Sequence, residues 1–270
     1  MAREHVLSAQ PQRWLGAGGT PTTDEEYAGE LTLSPSQFER ALACPLRWFL
    51  TTVGADGPSN AAASLGTLIH AVAEEHPHGT PEELTEALDA RIEELGYNLD
   101  TWAGRHSDRR ARAIVENLAS YLVGVPGRVD VEQKVEAQVE GVTIRGRMDR
   151  LEYVDEGVRV TDLKTGSNSD PYRKVDENAQ LAAYQLALLA SGEDVAGARI
   201  ALLGTKKKPQ TFDQKPLQGE ALAQWRNKVR EVAESARGPY FEARPSDAAC
   251  AYCSFDRLCP ARERGHKVVE

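Results

Sequence analysis

Three charged residues of this 270-residue chain are spaced as a hydrolytic metal site requires. Asp149 lies in Gly146-Arg-Met-Asp-Arg150, and thirteen positions later Asp162-Leu163-Lys164 closes a run of alternating apolar residues. In an Asp-x-Lys strand both charged side chains project from one face, and a hairpin would bring Asp149 beside them. Carboxylate oxygens are ligands suited to Mg2+ or Mn2+. A metal held there lowers the pKa of a bound water and offsets charge on a reacting phosphoryl group. Lys164 would orient or deprotonate the attacking water, or neutralise developing charge. Taken alone, Asp-x-Lys is a weak signal, because an Asp–Lys pair at a strand end is common.

The surrounding residues narrow the reading. His70 ends Gly66-Thr-Leu-Ile-His70 on an upstream helix, and Gln180 and Tyr184 are spaced i, i+4 on one face of the helix after the Asp-x-Lys strand. The run from His70 to His78, HAVAEEHPH, lacks the H-E-x-x-H spacing of zinc proteases. Its Glu74, Glu75, His76 and His78 are expected at an exposed helix end. Glu132 and Glu136, on the preceding strand, could each add a carboxylate to the site, though neither is singled out. The four cysteines are Cys44, Cys250, Cys253 and Cys259, the last followed by Pro260. A C-x2-C pair with two further thiols leaves zinc and iron–sulfur ligation both open.

These residues need a scaffold, and the hydrophobic periodicity supplies one. Residues 1–30 read as a linker or flexible lead-in, with GAGGTPTT at 16–23. Ser34 and Pro35 are a helix cap and first-turn pair, and the helix is expected to run to about Thr51. Further helices are expected over 64–75, 81–95 and 107–123. Alternation then predicts strands at 129–139, 142–153 and 157–163, with turns at Glu140-Gly141 and Asp155-Glu156-Gly157. A helix at 175–190, a strand at 198–205, a short strand near Thr211 and a helix at 219–237 complete the pattern. A central sheet flanked by helices fits this order of elements.

The order G-x-x-x-H, G-x-x-D, D-x-K-T-G and Q-x-x-x-Y, over residues 66–184, resembles the RecB-like branch of the PD-(D/E)XK nucleases. That resemblance implies an α/β fold with a restriction-endonuclease-like central mixed sheet flanked by helices. It implies that His70, Asp149, Asp162 and the Leu163 carbonyl bind Mg2+ or Mn2+. Lys164 would be the catalytic lysine, with Gln180 and Tyr184 positioning DNA or the site itself. Leu163 stands where an aromatic residue is often found. The cysteine spacing, with Cys44 in ALACPLRWFL, resembles the iron–sulfur members, including AddB-type subunits and CRISPR-associated nucleases. It implies a 4Fe–4S cluster that joins the N- and C-terminal segments. The expected domain is 31–265, with a tail at 266–270.

Candidate phosphate contacts are Arg47, Arg147, Arg150, Arg173, Lys174, Lys206, Lys207 and Lys208, and Trp48, Phe49 and Tyr172 are aromatic candidates for stacking on bases. The net charge of −9 argues mildly against simple coating of nucleic acid but not against a carboxylate-built site. The family resemblance implies DNA as partner, commonly single-stranded. No P-loop is present, so the chain is not itself a P-loop motor. LSPSQFERALACPLRWFL, the Arg13-Trp-Leu-Gly lead-in and the four cysteines resemble the C-terminal nuclease module of AdnAB- or AddAB-type helicase–nucleases, which implies a motor domain or partner subunit. A stand-alone exonuclease is the other reading. The apolar runs are too short to span a membrane and no secretory signal is evident, so a cytoplasmic location is expected.

Overall fold

The computed structural model describes residues 24–55, 65–92, 97–205, 207–251, 253–256 and 259–262. Lys206, residues 1–23 of the lead-in and the 266–270 tail lie outside the described residues. Among the described residues the first element is β1 (Leu31–Leu33), followed by α1 (Pro35–Ala43), α2 (Pro45–Thr52), α3 (Leu65–Glu75), α4 (Pro81–Arg91) and α5 (Trp102–Val123). Then come β2 (Val129–Val139), β3 (Val142–Val154), β4 (Gly157–Lys164), α6 (Ala179–Ala190), β5 (Val195–Leu202), β6 (Gln210–Gln214), α7 (Gly219–Ala236) and α8 (Asp247–Cys250).

Local chemistry sets the boundaries. Ser34 caps α1 in a reciprocal box with Gln37, the Gln37 amide donating to Ser34 Oγ at 3.2 Å and the Ser34 amide to Gln37 Oε1 at 2.9 Å. The single helix expected to Thr51 is in fact two. Pro45 forces Cys44 into an extended conformation, φ −162° and ψ 101°, and a new helix starts with proline in its first turn. Thr101 caps α5, which begins five residues earlier than expected. The helix expected from 175 begins at Ala179, because Asn178 caps it and residues 175–177 form a 3-10 turn. The strand expected over 198–205 is shifted back, to Val195–Leu202.

The sheet is mixed, in the order β1-β3-β4-β5-β6, with β2 paired to β3 on its other side. The β2–β3 hairpin turns at Glu140 and Gly141, both at positive φ (48° and 79°), a geometry that favours glycine. Strand β3 carries Asp149, and its pairing is interrupted near that residue. Along one edge it pairs in parallel with β1 at 142–144 and then antiparallel with β4 at 150–154. Between the two, residues 145–149 have no partner on that edge. Pro35 of α1 packs there so closely that a Cβ at Gly146 would lie 2.8 Å from its ring.

Helices cover both faces. On one, α1, α6 and α7 bury Phe38, Leu181, Ala182 and Val229 against Ile144, Val160 and Ile200. On the other, α3, α4 and α5 bury Ile69, Leu84, Ile114 and Leu118 against Leu163, Ala201 and Leu203. Alternation along β4 therefore sends Leu163 to the second face and Asp162 and Lys164 to the first. Residues 24–30 are not detached from this body. The Tyr27 amide bonds the Arg237 carbonyl at 2.8 Å, and the Arg237 guanidinium donates to the carbonyls of Tyr27 and Gly29.

Candidate active site

The unpaired stretch of β3 and the end of β4 bring the charged residues together. The Asp149 Oδ2 accepts the Leu163 amide at 2.8 Å, which locks the aspartate across the end of β4. His70 reaches in from α3. Its Nδ1 lies 3.3 Å from Asp149 Oδ1 and its Nε2 3.1 Å from the Leu163 carbonyl. The Asp149 hydrogen bond holds the His70 imidazole above its ordinary pKa, against the opposing effect of burial. Histidine, aspartate and backbone carbonyl thus converge at one point.

Asp162 is buried at 5% exposure. Its Oδ1 accepts Gln180 Nε2 at 2.8 Å, and its Oδ2 lies 2.8 Å from the Lys164 ammonium without a well-directed hydrogen bond. Burial pushes the Asp162 carboxyl up, with Lys164 pulling the other way. Burial also disfavours the Lys164 ammonium, yet the adjoining Asp162 carboxylate outweighs it and holds Lys164 above its usual value. Lys164 therefore keeps its proton in this arrangement. Gln180 clamps the pair, its Oε1 accepting Lys164 Nζ at 3.3 Å.

Tyr184, one helical turn beyond Gln180, does not reach the carboxylates by hydrogen bond. Its hydroxyl donates to the Arg147 carbonyl at 2.8 Å and so fixes β3 two residues before Asp149. Burial raises the Tyr184 phenol, so it remains a donor. Tyr184→Phe is expected to destabilise the fold by about 1 kcal/mol, the worth of one such bond. Its effect on turnover should be far smaller than that of removing Lys164, as thermal melting and an activity assay on one preparation would register.

Of the two carboxylates that could add to the site, Glu132 is the one that joins it. Ligand atoms of His70, Glu132 and Asp149 lie within 4.8 Å of one another. Glu132 sits at positive φ (52°), an uncommon conformation for a glutamate within a strand, and pairs with Arg147 at 2.5 Å. Burial raises its carboxyl, with Arg147 opposing. Only the pairing register could have singled it out, since Val131 and Gln133 face Arg150 and Met148 and bracket Asp149. Glu136 is exposed and paired with Arg145. Two more residues border the pair of Lys164 and Asp162: Glu39 of α1, whose carboxyl burial raises, and Tyr172, whose phenol burial raises. A cleft of about 390 Å3 opens over Gly66, Thr67, His70, Glu132, Arg147 and Asp149.

The basic candidates are dispersed. Arg147, largely exposed, lines this cleft. Contrary to the expectation from sequence, Arg150 cannot serve as a DNA contact. It is fully buried, 3.6 Å from Glu152, because α5 packs over its side chain and brings Tyr121 beside it. Arg47 donates to the Ala249 carbonyl at 2.8 Å. Arg173 and Lys174 are exposed and paired with Asp170 and Glu177, and Lys207 and Lys208 lie between β5 and β6. Trp48 is core, and Phe49 stacks on Phe241. Cys44, Cys250, Cys253 and Cys259 are half-buried free thiols.

Carboxylate oxygens of Glu132 and Asp149 gather with one histidine within ligand reach of one another, a donor set of the kind a hard divalent cation uses. The profile of the PD-(D/E)XK nuclease superfamily matches residues 32–260, and the chain belongs to that superfamily. It is 27% identical over 267 residues to the Gene 69 protein of Mycobacterium phage D29, a match covering 84% of this chain and 96% of the phage protein. Two solved structures are similar in outline. One is SSO0001, with TM-score 0.45, 16% identity and 87% and 88% of the two chains covered. The other is a protein described as a candidate exonuclease from Eubacterium rectale, with TM-score 0.49, 13% identity and 92% and 94% covered. Among the described residues, no helix is long and apolar enough to cross a membrane.

Proposed function

We propose that this nuclease hydrolyses DNA phosphodiester bonds with a divalent metal, as an exonuclease on single-stranded or unwound ends in end resection or recombinational repair. The observation that carries the reading is the convergence of His70, Asp149 and the Leu163 carbonyl beside the Asp162–Lys164–Gln180 cluster. His70, Asp149, Asp162 and the Leu163 carbonyl would hold Mg2+ or Mn2+, with Glu132 as a further oxygen ligand. When bound, the metal supplies Lewis acidity and an activated water. Lys164, kept protonated by Asp162, serves as a fixed positive charge for the phosphoryl oxygens and a donor that orients the water. Gln180 holds that ammonium against Asp162, and Tyr184 holds the strand that carries Asp149. Arg147 at the cleft mouth meets the DNA backbone.

The intact charged cluster supports an enzyme over a DNA-binding module with an inactive site. Chelator-treated protein should leave labelled single-stranded DNA intact and should cut it on addition of Mn2+ or Mg2+. Protein that binds DNA but cuts nothing under these conditions would belong to the binding-module class.

The four cysteines are proposed to hold a 4Fe–4S cluster. Support comes from the return of the C-terminal segment onto the helices flanking Cys44. The Leu46 amide bonds the Glu242 carbonyl at 3.1 Å, Arg47 bonds Ala249, and Phe49 and Phe241 stack with centroids 4.0 Å apart. Among the described residues the thiols do not form a group at ligand distance. Anaerobically purified protein should be brown, with about four iron atoms and four sulfides per chain. Cys44→Ala should lose the colour and melt several degrees lower, since ligation energy is folding energy. Colourless protein carrying one zinc would reject the cluster and leave the nuclease reading standing.

A further inference from the structure

On a chain with net charge −9, the first half of α5 is an exception. Trp102, Arg105, His106, Arg109 and Arg110 recur at i, i+3, i+4, i+7 and i+8, so they share one face of the helix. All five are exposed, while the opposite stripe, Ala111, Ile114, Val115 and Leu118, is buried against α3 and α4. Trp102 is the clearest anomaly, at 70% exposure. Its indole is neither core nor free to tumble: the His106 ring lies parallel to it, 5.3 Å between centroids at 11°. One indole face is thereby braced and the other left to solvent.

The cations beside it are arranged for an external anion. Arg112, on the flank, is committed to Asp89 at 2.8 Å and Asp108 at 3.2 Å. Arg105 is tied down by the carbonyls of Leu99 and Asp100, at 2.9 and 3.0 Å, so its position is fixed without its charge being cancelled by them. Arg109 and Arg110 extend the row by another turn. A braced, open aromatic face next to a row of arginines matches a chain of phosphates whose bases are unpaired and can stack. A duplex matches it less well, because its bases are already stacked on one another.

We infer that this face of α5 is a binding surface for single-stranded DNA, with one base stacked on Trp102 and the adjoining phosphates on Arg105, Arg109 and Arg110. The inference rests on the proposal that DNA is the substrate. The surface lies outside the carboxylate cleft, on the layer of helices that also carries His70, so it holds the strand without taking part in bond cleavage.

The test is fluorescence anisotropy with a labelled oligothymidylate, in chelator so that nothing is cut, using the full chain and its Trp102→Ala and Arg109→Glu/Arg110→Glu variants. Trp102→Ala is expected to weaken binding by about tenfold or more, and to weaken binding of a blunt duplex of equal length by less than about twofold. The charge-reversal variant should weaken binding of both and flatten its salt dependence. With Mn2+ present, Trp102→Ala should raise KM for the oligonucleotide and leave kcat unchanged. Melting curves matching the wild type would confirm that the variants fold.

Oligothymidylate binding within about twofold of wild type in both variants would overturn the surface, as would equal losses on single strand and duplex in Trp102→Ala. If Trp102→Ala instead abolished self-association in sedimentation with DNA binding intact, the face would belong to a second copy of the chain, and the inference would be wrong. Failure of the nuclease reading shows separately, as absence of Lys164-dependent cleavage while the binding arm still gives its answer.

Discussion

Lys164→Ala is expected to lower DNA hydrolysis by about 10²–10⁴-fold, the range lost when a positioned proton-transfer group or charge-stabilising donor is removed. Binding of the same oligonucleotide in chelator should change little. Lys164 is the only cation within ion-pairing distance of Asp162 among the described residues. Its loss would leave a buried carboxylate facing Gln180 alone, and burial already pushes that carboxyl up. The variant therefore has two routes to inactivity, lost chemistry or weakened metal binding, and a Mn2+ titration separates them. Recovery to near wild-type rate at high Mn2+ would assign Lys164 to metal retention. A rate that stays low at saturation places it at the reacting phosphate. Activity within a few-fold of wild type at all metal concentrations would remove Lys164 from the mechanism.

The largest stability effect is expected away from the chemistry, at the far end of β3. Glu152 is fully buried and accepts Arg159 at 3.1 and 2.8 Å, the Tyr121 hydroxyl, and the charge of Arg150 at 3.6 Å. Glu152→Ala strands two guanidinium groups, one with no exposure at all, and should cost about 3–5 kcal/mol. For a domain of this size that lowers Tm by roughly 10 °C. Arg150 behaves differently. None of its side-chain nitrogens has a hydrogen-bond partner among the described residues, and burial holds its pKa below the usual arginine value. Replacing it with methionine removes a desolvated charge while Glu152 keeps Arg159 and Tyr121. Arg150→Met should therefore cost under about 1.5 kcal/mol or stabilise. Equal losses in the two variants, measured by denaturant unfolding, would show that Arg150 is the partner Glu152 needs.

The two experiments read different faces of the same sheet. Asp149 lines the cleft while Arg150 is fully buried beside Glu152, so adjacent residues of β3 meet different surroundings. A Glu152→Ala protein that still folds at low temperature should keep most of its activity, whereas Lys164→Ala should lose activity with its fold intact.

Much of this was legible in the sequence, for local reasons. Alternation in 129–163 marked β2, β3 and β4 because side chains on a strand change face at every residue. Asp-x-Lys put Asp162 and Lys164 on one face for the same reason, and i, i+4 spacing put Gln180 and Tyr184 on one side of α6. What escaped depends on contacts between distant segments. Arg150 was a candidate phosphate contact by type alone, but only the packing of α5 over the sheet shows that its side chain is sealed in. Glu132 had no local mark, and its place beside His70 and Asp149 comes from the β2–β3 register and a left-handed backbone step. Pro45 was visible, yet the break it makes at Cys44 matters because the C-terminal segment returns to that point. Residue types and periods determine which groups can do chemistry and which face of an element they occupy, because those follow from backbone geometry within a few residues. Which faces meet, which charges are buried and which carboxylates share a cation were decided only by tertiary packing, where desolvation and long-range pairing fix what no short stretch of sequence encodes.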